Sequence, residues 1–412
     1  MRVRLASLAA VALGCAACAF DKGSPDSAGL PLFEGVPEKN LSAAAVARFD
    51  PAVDYFPEKA EFRHTTQISV SYHGHYKVLR VVTNGMGQEF RYVLVQRGTP
   101  VPGDVSRDAL VVPVPVLRFS LGTYRYGAAS DILGVVDRIV GFGNHNHATV
   151  PSILARFESG ELSRSFDLEA IMNRRSEAHF NWHYHAALTR LNESFSLMGV
   201  PLVEMAEHLE PTPLARSEWI KFFALFFNQE AEAESAFGEM EVRYNALRAR
   251  VAAVAERPRV LVGAPEDDGW RMYGGRNVHT RMIEDAGGRY LWEDDVETDS
   301  GRYTHFEDAL ARAREAELWI VGPNTSFGSR IFETTVLDPR YDYIPAVRNG
   351  RVWVANINWP TGPNPWWDYS LISPHFELAD HVRMIHPGLL PPGDMTFYRS
   401  LAGLQVTDAS SR

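Results

Sequence analysis

Metal-binding chemistry in this 412-residue chain gathers in two histidine pairs, His145-x-His147 and His183-x-His185. Residues i and i+2 share a side in an extended segment. Each pair would then present two imidazoles together, suited to a transition metal or to axial contact with haem iron. Carboxylates are sparse in sequence around both pairs, which argues against a hydrolytic two-metal centre. No metal is therefore assigned to the chain itself, His145 and His147 being the candidates if one were held. His73-x-His75 lies in a strongly alternating segment and reads as surface.

A second chemistry is carried by arginines set among aromatic side chains. Tyr124-Arg125, Trp182 to His185, Trp270-Arg271-Met272-Tyr273 and Trp366-Trp367 are the groupings, with Asn324 and Trp359 in the same half as the last two. Aromatic faces suit a large flat or catecholate-bearing ligand, and a guanidinium suits its anionic oxygens. Tyr124, Arg125, His183, His185, Trp270, Arg271, Tyr273, Trp366 and Trp367 are taken as ligand-binding, whereas Trp219, Trp319 and Trp353 are read as core. Catalytic residues are absent from this reading. There is no G-x-S-x-G elbow, no Walker A sequence and no G-x-G-x-x-G, since Gly141-Phe142-Gly143 lacks the third glycine. The two cysteines, Cys15 and Cys18, lie at the extreme N-terminus, so the folded body has neither a thiol nucleophile nor a disulfide. No cofactor is implied, and the expectation is a binding protein rather than an enzyme.

The composition, 45% hydrophobic and 22% charged, is that of a globular chain of two or three domains. A net charge of −10 and the lack of a basic run argue against nucleic-acid binding. Residues 1–18 read as a secretory signal: Arg2 and Arg4 precede an apolar stretch, Leu5 to Leu13, that is too short to span a bilayer. Ala12-Leu13-Gly14-Cys15 resembles the bacterial lipobox, which makes Cys15 the lipidated residue and Cys18 the alternative. Residues 19–60 then serve as tether and linker, and the expected location is the periplasm or cell surface, anchored by lipid.

The elements that must position the site follow from periodicity. Residues 61–110 alternate apolar with polar side chains around Asn84-Gly85-Met86-Gly87, which predicts a β extension. Over 111–230 and again over 258–400 strands alternate with helices, the pattern of parallel sheets covered on both faces. Val111 to Ser120 reads as one buried strand, Pro213 to Asn228 as one helix, and Asp368 to His386 as a long closing helix. Between the two α/β units, 231–257 holds Phe237, Met240, Tyr244, Leu247 and Val251 on a single helical stripe. From Ala231 to Glu256 such a helix would be ~39 Å long. The fold expected is α/β, two Rossmann-like lobes joined by one long helix, with the β extension in front.

This organisation resembles the class III, helix-linked substrate-binding proteins of ABC importers, which capture iron–siderophore complexes, haem and cobalamin. The blocks that carry the resemblance are Ala129 to Asn144, Phe166 to Met172, Met198 to Met205, Glu284 to Asp294 and Phe306 to Gly322, in the family's order. Pro211 to Leu214 followed by Ser217 to Lys221 looks like a subgroup of iron-complex binders. The resemblance implies an iron complex, ferric siderophore or haem, as ligand, with a corrinoid as the alternative. The implied partner is the transmembrane permease dimer, met by a monomeric binding protein. By position in the motifs, Glu169 and Glu307 match the two glutamates with which the family docks on permease arginines. Both also suit a helix start, Glu169 by its charge and Glu307 through a Thr304-x-x-Glu307 capping box. The rivals are an exported His-ligated metallohydrolase and a scavenger that never meets a permease.

Overall fold

The computed structural model describes residues 29–84, 87–143, 145–163, 168–183, 189–266, 269–297, 302–322, 339–358 and 362–402. Cys15, Cys18, His185, Asn324 and Trp359 lie outside them.

The β extension is a four-stranded sheet. Ile68–Tyr72, Tyr76–Val82 and Glu89–Gln96 pair antiparallel, and Leu110–Val114 adds in parallel to Glu89–Gln96. Alternation buries Leu79 and Val81 and leaves Arg80 outside. His73-Gly74-His75, read as strand from the sequence, is instead the first turn. Gly74 takes φ 68° there, a region closed to most side chains. The sheet shares a core with the first parallel sheet and its helices: Phe56, Leu79, Tyr92 and Val112 join one cluster with Phe119, Phe180 and Phe223.

The expected strand over Val111 to Ser120 is two strands in two sheets. Leu110–Val114 closes the extension and Phe119–Leu121 opens the next sheet. Pro113 sits within the ladder, opposite Val95, but Pro115, just past the last paired residue, has no N–H to continue it. The second sheet is wholly parallel, in the order Leu202–Met205, Ala178–Trp182, Phe119–Leu121, Ile139–Phe142. Its strands are short buried runs of the kind parallel sheets require.

Pro213 to Asn228 also divides, into helices Pro213–Ser217 and Trp219–Leu225, with Thr212 capping the first by accepting from the Ala215 N–H. At the junction, the Glu218 carboxylate accepts from the backbone N–H groups of Arg63, His64 and Thr65. One unbroken helix, Glu230–Ala252, comes next. Ala233, Phe237 and Met240 enter the first core, while Tyr244 and Val251 enter a second. It ends at Ala252, with Ala253 as its C-cap, short of the expected 257.

The second parallel sheet runs Arg289–Tyr290, Arg259–Val262, Leu318–Val321, Val352–Val354, with Arg399–Ser400 antiparallel at the edge. A small antiparallel sheet, Ala264–Glu266, Gly269–Met272 and Arg302–His305, sits beside it. Asn277 caps helix Val278–Asp285, and Gly287 at φ 81° stops it. The capping box expected at Thr304 does not form: Thr304 is in a strand, and His305 holds the N-cap position with no side-chain bond. The long closing helix is broken by Pro374 into Trp366–Tyr369 and Pro374–Ile385. Pro374 lacks the N–H for a continuing helix and forces Ser373 out of the helical region, at φ −141°. No described helix is long and apolar enough to cross a membrane.

Candidate functional site

Open α/β sheets bind ligands at the carboxyl ends of their strands, and there the first parallel sheet delivers its polar side chains. Phe119–Leu121 leads into a 3-10 turn, Tyr124–Tyr126, pinned by Thr123, whose hydroxyl accepts from the Arg125 N–H. Ala178–Trp182 ends at His183, and Leu202–Met205 runs into Glu207-His208. From the other half comes the short helix Trp366–Tyr369.

These elements meet around a guanidinium. Arg125 is 7% exposed, and its Cζ lies 4.6 Å from the Trp182 ring centre and 5.1 Å from that of Trp367. Two indole faces therefore sandwich one planar cation, the arrangement in which cation–π attraction is best shielded from water. Its Nη1 is 3.9 Å from Glu207 Oε1. Burial pushes the fully enclosed Glu207 carboxyl up from its ordinary value, an effect opposed by Arg125 and Arg216. The Trp182 indole N–H donates to His208 Nδ1 at 2.8 Å. Desolvation pushes His208 down to about 3, so this imidazole is neutral and accepts. The Tyr124 ring lies 5.1 Å from His147 and 5.8 Å from Trp367.

A second buried arginine continues the seam. Arg216 sits 5.4 Å from the Trp366 ring and lines a small cavity with His279, Ser370 and Glu377. Its Nε finds no hydrogen-bond partner. Burial, chiefly, and then the Arg125 charge lower its pKa. Glu377 accepts from the Trp366 indole N–H at 2.8 Å. His279 lies 5.6 Å from Trp366 and 4.7 Å from Tyr273, so Tyr273 reaches the same seam.

Asp368, on the helix from the second half, accepts from both the backbone N–H and the hydroxyl of Thr149 in the first. Burial, outweighing these bonds, raises its pKa to about 7. A folded-state value above the unfolded one means the folded chain keeps a proton that the unfolded chain has lost. Stability from this group is therefore present below about pH 4 and declines as pH rises through about 7. Asp368→Asn should consequently gain on the wild type in urea midpoint as pH is raised from 4 to 8. A difference independent of pH would show that Asp368 does not titrate in that window.

The structure thus brings Tyr124, Arg125, Trp366 and Trp367 together and leaves other expected residues elsewhere. Trp270 is fully buried in the second core, 5.2 Å from Trp319. It stands on strand Gly269–Met272 rather than in a loop, and alternation turns Trp270 and Met272 inward while Arg271 takes the opposite, half-buried face. His145–His147 is a 3-10 turn, not extended chain, so i and i+2 do not share a side. His147 meets Tyr124, while His145 lies edge-on to Phe157 at 6.1 Å. His183 Nδ1 is 3.1 Å from Glu204 Oε2. Among the described residues no group of three or more His, Cys, Asp or Glu side chains is arranged to hold a metal ion. Glu169 and Glu307 are both placed in the first turn of a helix, Leu168–Asn173 and Phe306–Ala313, and neither is buried. Sequence reasoning missed Glu207, Arg216, Asp368 and Glu377. Arg216 had a signal: with Glu218 and Lys221 it is one of three charges inside the largely apolar run from Pro213 to Phe227, and buried charges need partners.

Comparison with known proteins bears on this arrangement. Residues 185–356 match the family model described as periplasmic binding protein. An uncharacterised lipoprotein of Methanocaldococcus jannaschii is 30% identical over 193 residues, 46% of this chain and 43% of the relative. The match therefore spans less than half of that relative's length. Among solved structures, a periplasmic binding protein from Veillonella parvula aligns with TM-score 0.55 at 12% identity, over 74% of this chain and 98% of that one. A Staphylococcus epidermidis chain, described as a possible iron-binding periplasmic solute-binding protein, aligns with TM-score 0.51 at 14% identity, over 66% and 99%. At such identities the structures speak for the two-lobed fold.

Proposed function

We propose that this chain, whose residues 185–356 match the periplasmic binding protein family model, is the extracytoplasmic solute-binding component of an ABC importer and captures an iron complex between its lobes. One observation carries the reading: the Arg125 guanidinium is sandwiched by Trp182 from the first half and Trp367 from the second. Two indole faces and a planar cation form a recognition surface for a flat or catechol-bearing anion. The site lies where the halves meet, so an occupant would report on both. The iron-binding description of the Staphylococcus structure and the lipoprotein name of the archaeal relative are consistent with iron cargo and a lipid anchor at Cys15, or alternatively Cys18.

Titration of tryptophan fluorescence with ferric siderophores, haemin and cobalamin tests it. Saturable quenching by an iron complex at micromolar concentration or below is expected. Binding of cobalamin alone would select the corrinoid alternative, and no binding at all would overturn the reading. The metallohydrolase alternative predicts stoichiometric zinc in the purified protein, which elemental analysis decides.

Delivery requires a permease-facing surface. Glu169 and Glu307, at the starts of helices in the two halves, are our candidates for it, since charges at a surface govern encounter more than affinity. The Glu169→Lys/Glu307→Lys double variant should lose cellular uptake while keeping its ligand affinity. Unchanged transport in that variant would remove both residues from docking.

A further inference from the structure

The β extension touches His183, the residue that follows strand Ala178–Trp182. The His183 backbone N–H donates to Met205 O at 2.8 Å, which carries the parallel ladder one residue past the strand. Its ring Nδ1 lies 3.1 Å from Glu204 Oε2, with the imidazole 15% exposed and the carboxylate 8%. Two side chains of the extension set this pair. Phe90 presents its ring edge-on to the imidazole at 5.3 Å and 66°. The Tyr92 hydroxyl oxygen accepts from the Glu204 backbone N–H at 2.9 Å, and Tyr92 is itself held by Phe222 and Phe226.

Trp182, the residue before His183, lies over Arg125 and donates its indole N–H to His208, and His208 in turn feels the His183 imidazole electrostatically, so His183 stands at the border of the site. A carboxylate at Nδ1 fixes which ring nitrogen carries the proton. None of the hydrogen bonds among the described residues engages His183 Nε2.

We propose that the β extension is part of the cargo site: Phe90, Tyr92 and Glu204 hold His183 protonated at Nδ1, leaving Nε2 as a neutral electron-pair donor to the metal of a complex with an open coordination position. This rests on the iron-complex reading above. The step is a ligand exchange in which Nε2 donates its lone pair to ferric iron and a bound water leaves. The oxidation state is unchanged and the Nδ1 proton stays on the Glu204 hydrogen bond. Glu204 and Phe90 are positioning residues, and the cargo class selected is the coordinatively unsaturated ferric complex, not the hexadentate chelate.

Two measurements judge the proposal. Long-range proton–nitrogen NMR of the ligand-free protein should find His183 as the Nδ1–H tautomer. Glu204→Gln and Phe90→Ala should each convert it to a mixture without changing the far-ultraviolet circular dichroism. Titration with ferric haemin, as a probe with an open axial position, should show a nitrogen-ligated absorption spectrum. His183→Ala should abolish that spectrum, and Glu204→Gln should weaken haemin binding by ~10-fold, as loss of an outer-shell partner does. Ferrioxamine, whose iron is already saturated, should be indifferent to all three substitutions. An Nε2–H tautomer in the wild type overturns the proposal whatever the cargo. So does a haemin spectrum untouched by His183→Ala, or a wild type that takes ferrioxamine and refuses haemin. If neither probe binds while the tautomer is as expected, the metal-donor half falls together with the iron reading, and the positioning half stands.

Discussion

Lys77→Met should lower the unfolding free energy by about 3–5 kcal/mol, the usual cost of removing one member of a buried ion pair. Lys77 and Glu230 side chains are both 0% exposed and 2.7 Å apart. The ammonium also donates to Leu225 O and Asn228 Oδ1, at 2.5 and 2.9 Å, which uses all three of its protons. Burial lowers the lysine pKa and the Glu230 charge opposes that shift, so the charge survives inside because its partners are complete. Lys77 belongs to strand Tyr76–Val82 of the extension, and Glu230 is the first residue of the long helix. The pair thus fastens the extension to the element that serves both cores. Removing the lysine leaves a carboxylate with no counter-charge in a dry interior. Urea unfolding reads the loss, and the Lys77→Met/Glu230→Gln double variant should recover part of it because no lone charge remains. A Lys77→Met midpoint within error of the wild type would show that the extension is not an integral part of the folded body.

Arg125→Lys should weaken binding of the proposed iron-complex cargo by ~10–100-fold while shifting the urea midpoint little. Lysine keeps the charge opposite Glu207 but loses the plane that stacks between Trp182 and Trp367 and the forked donors that grip an anion. Central, desolvated arginines between aromatic rings are where interface energy concentrates, and a hundredfold change corresponds to about 2.8 kcal/mol. Arg125→Ala should lose as much affinity and stability besides, since it abandons Glu207, whose Oε1 has no hydrogen bond of its own. Isothermal titration on both variants separates the effects. Undiminished affinity in Arg125→Lys would move the cargo site away from the sandwich.

Local pattern made much of the architecture legible. The run Arg138 to Gly143 and the run Val200 to Met205 are short and mostly apolar, with one charged residue each, and both hold strands of the parallel sheet. The stripe from Phe237 to Val251 keeps a helical spacing and became one helix. Where the fold departs from average periodicity, a proline or a turn decides. Pro115 ended a ladder and Pro374 split a helix, while Gly74 turned a strand that alternation would have carried on. These are one-residue effects that a window of average periodicity passes over.

Loop position was a poorer guide to the site. Trp270-Arg271 and Trp366-Trp367 look alike as sequence, yet the register Trp270↔Thr304 and Pro265↔Trp270 puts the first indole under a small sheet, while the second pair rests on Arg125 and Arg216. Which face a side chain shows depends on the strand it pairs with, and for Trp270 one such partner, Thr304, is remote in sequence. Arg125, Glu207 and Trp367 are as widely separated along the chain and meet within a few ångströms.

Element types, the two-unit plan and the presence of arginine among aromatic rings were thus determined by the order of residues, because hydrophobic period and chain-breaking side chains act over a few positions. Burial of Trp270, the Arg125 sandwich, the neutral His208 and the tie between His183 and the β extension were decided by tertiary structure. Solvent exclusion and the distance between charges exist only once remote segments have packed.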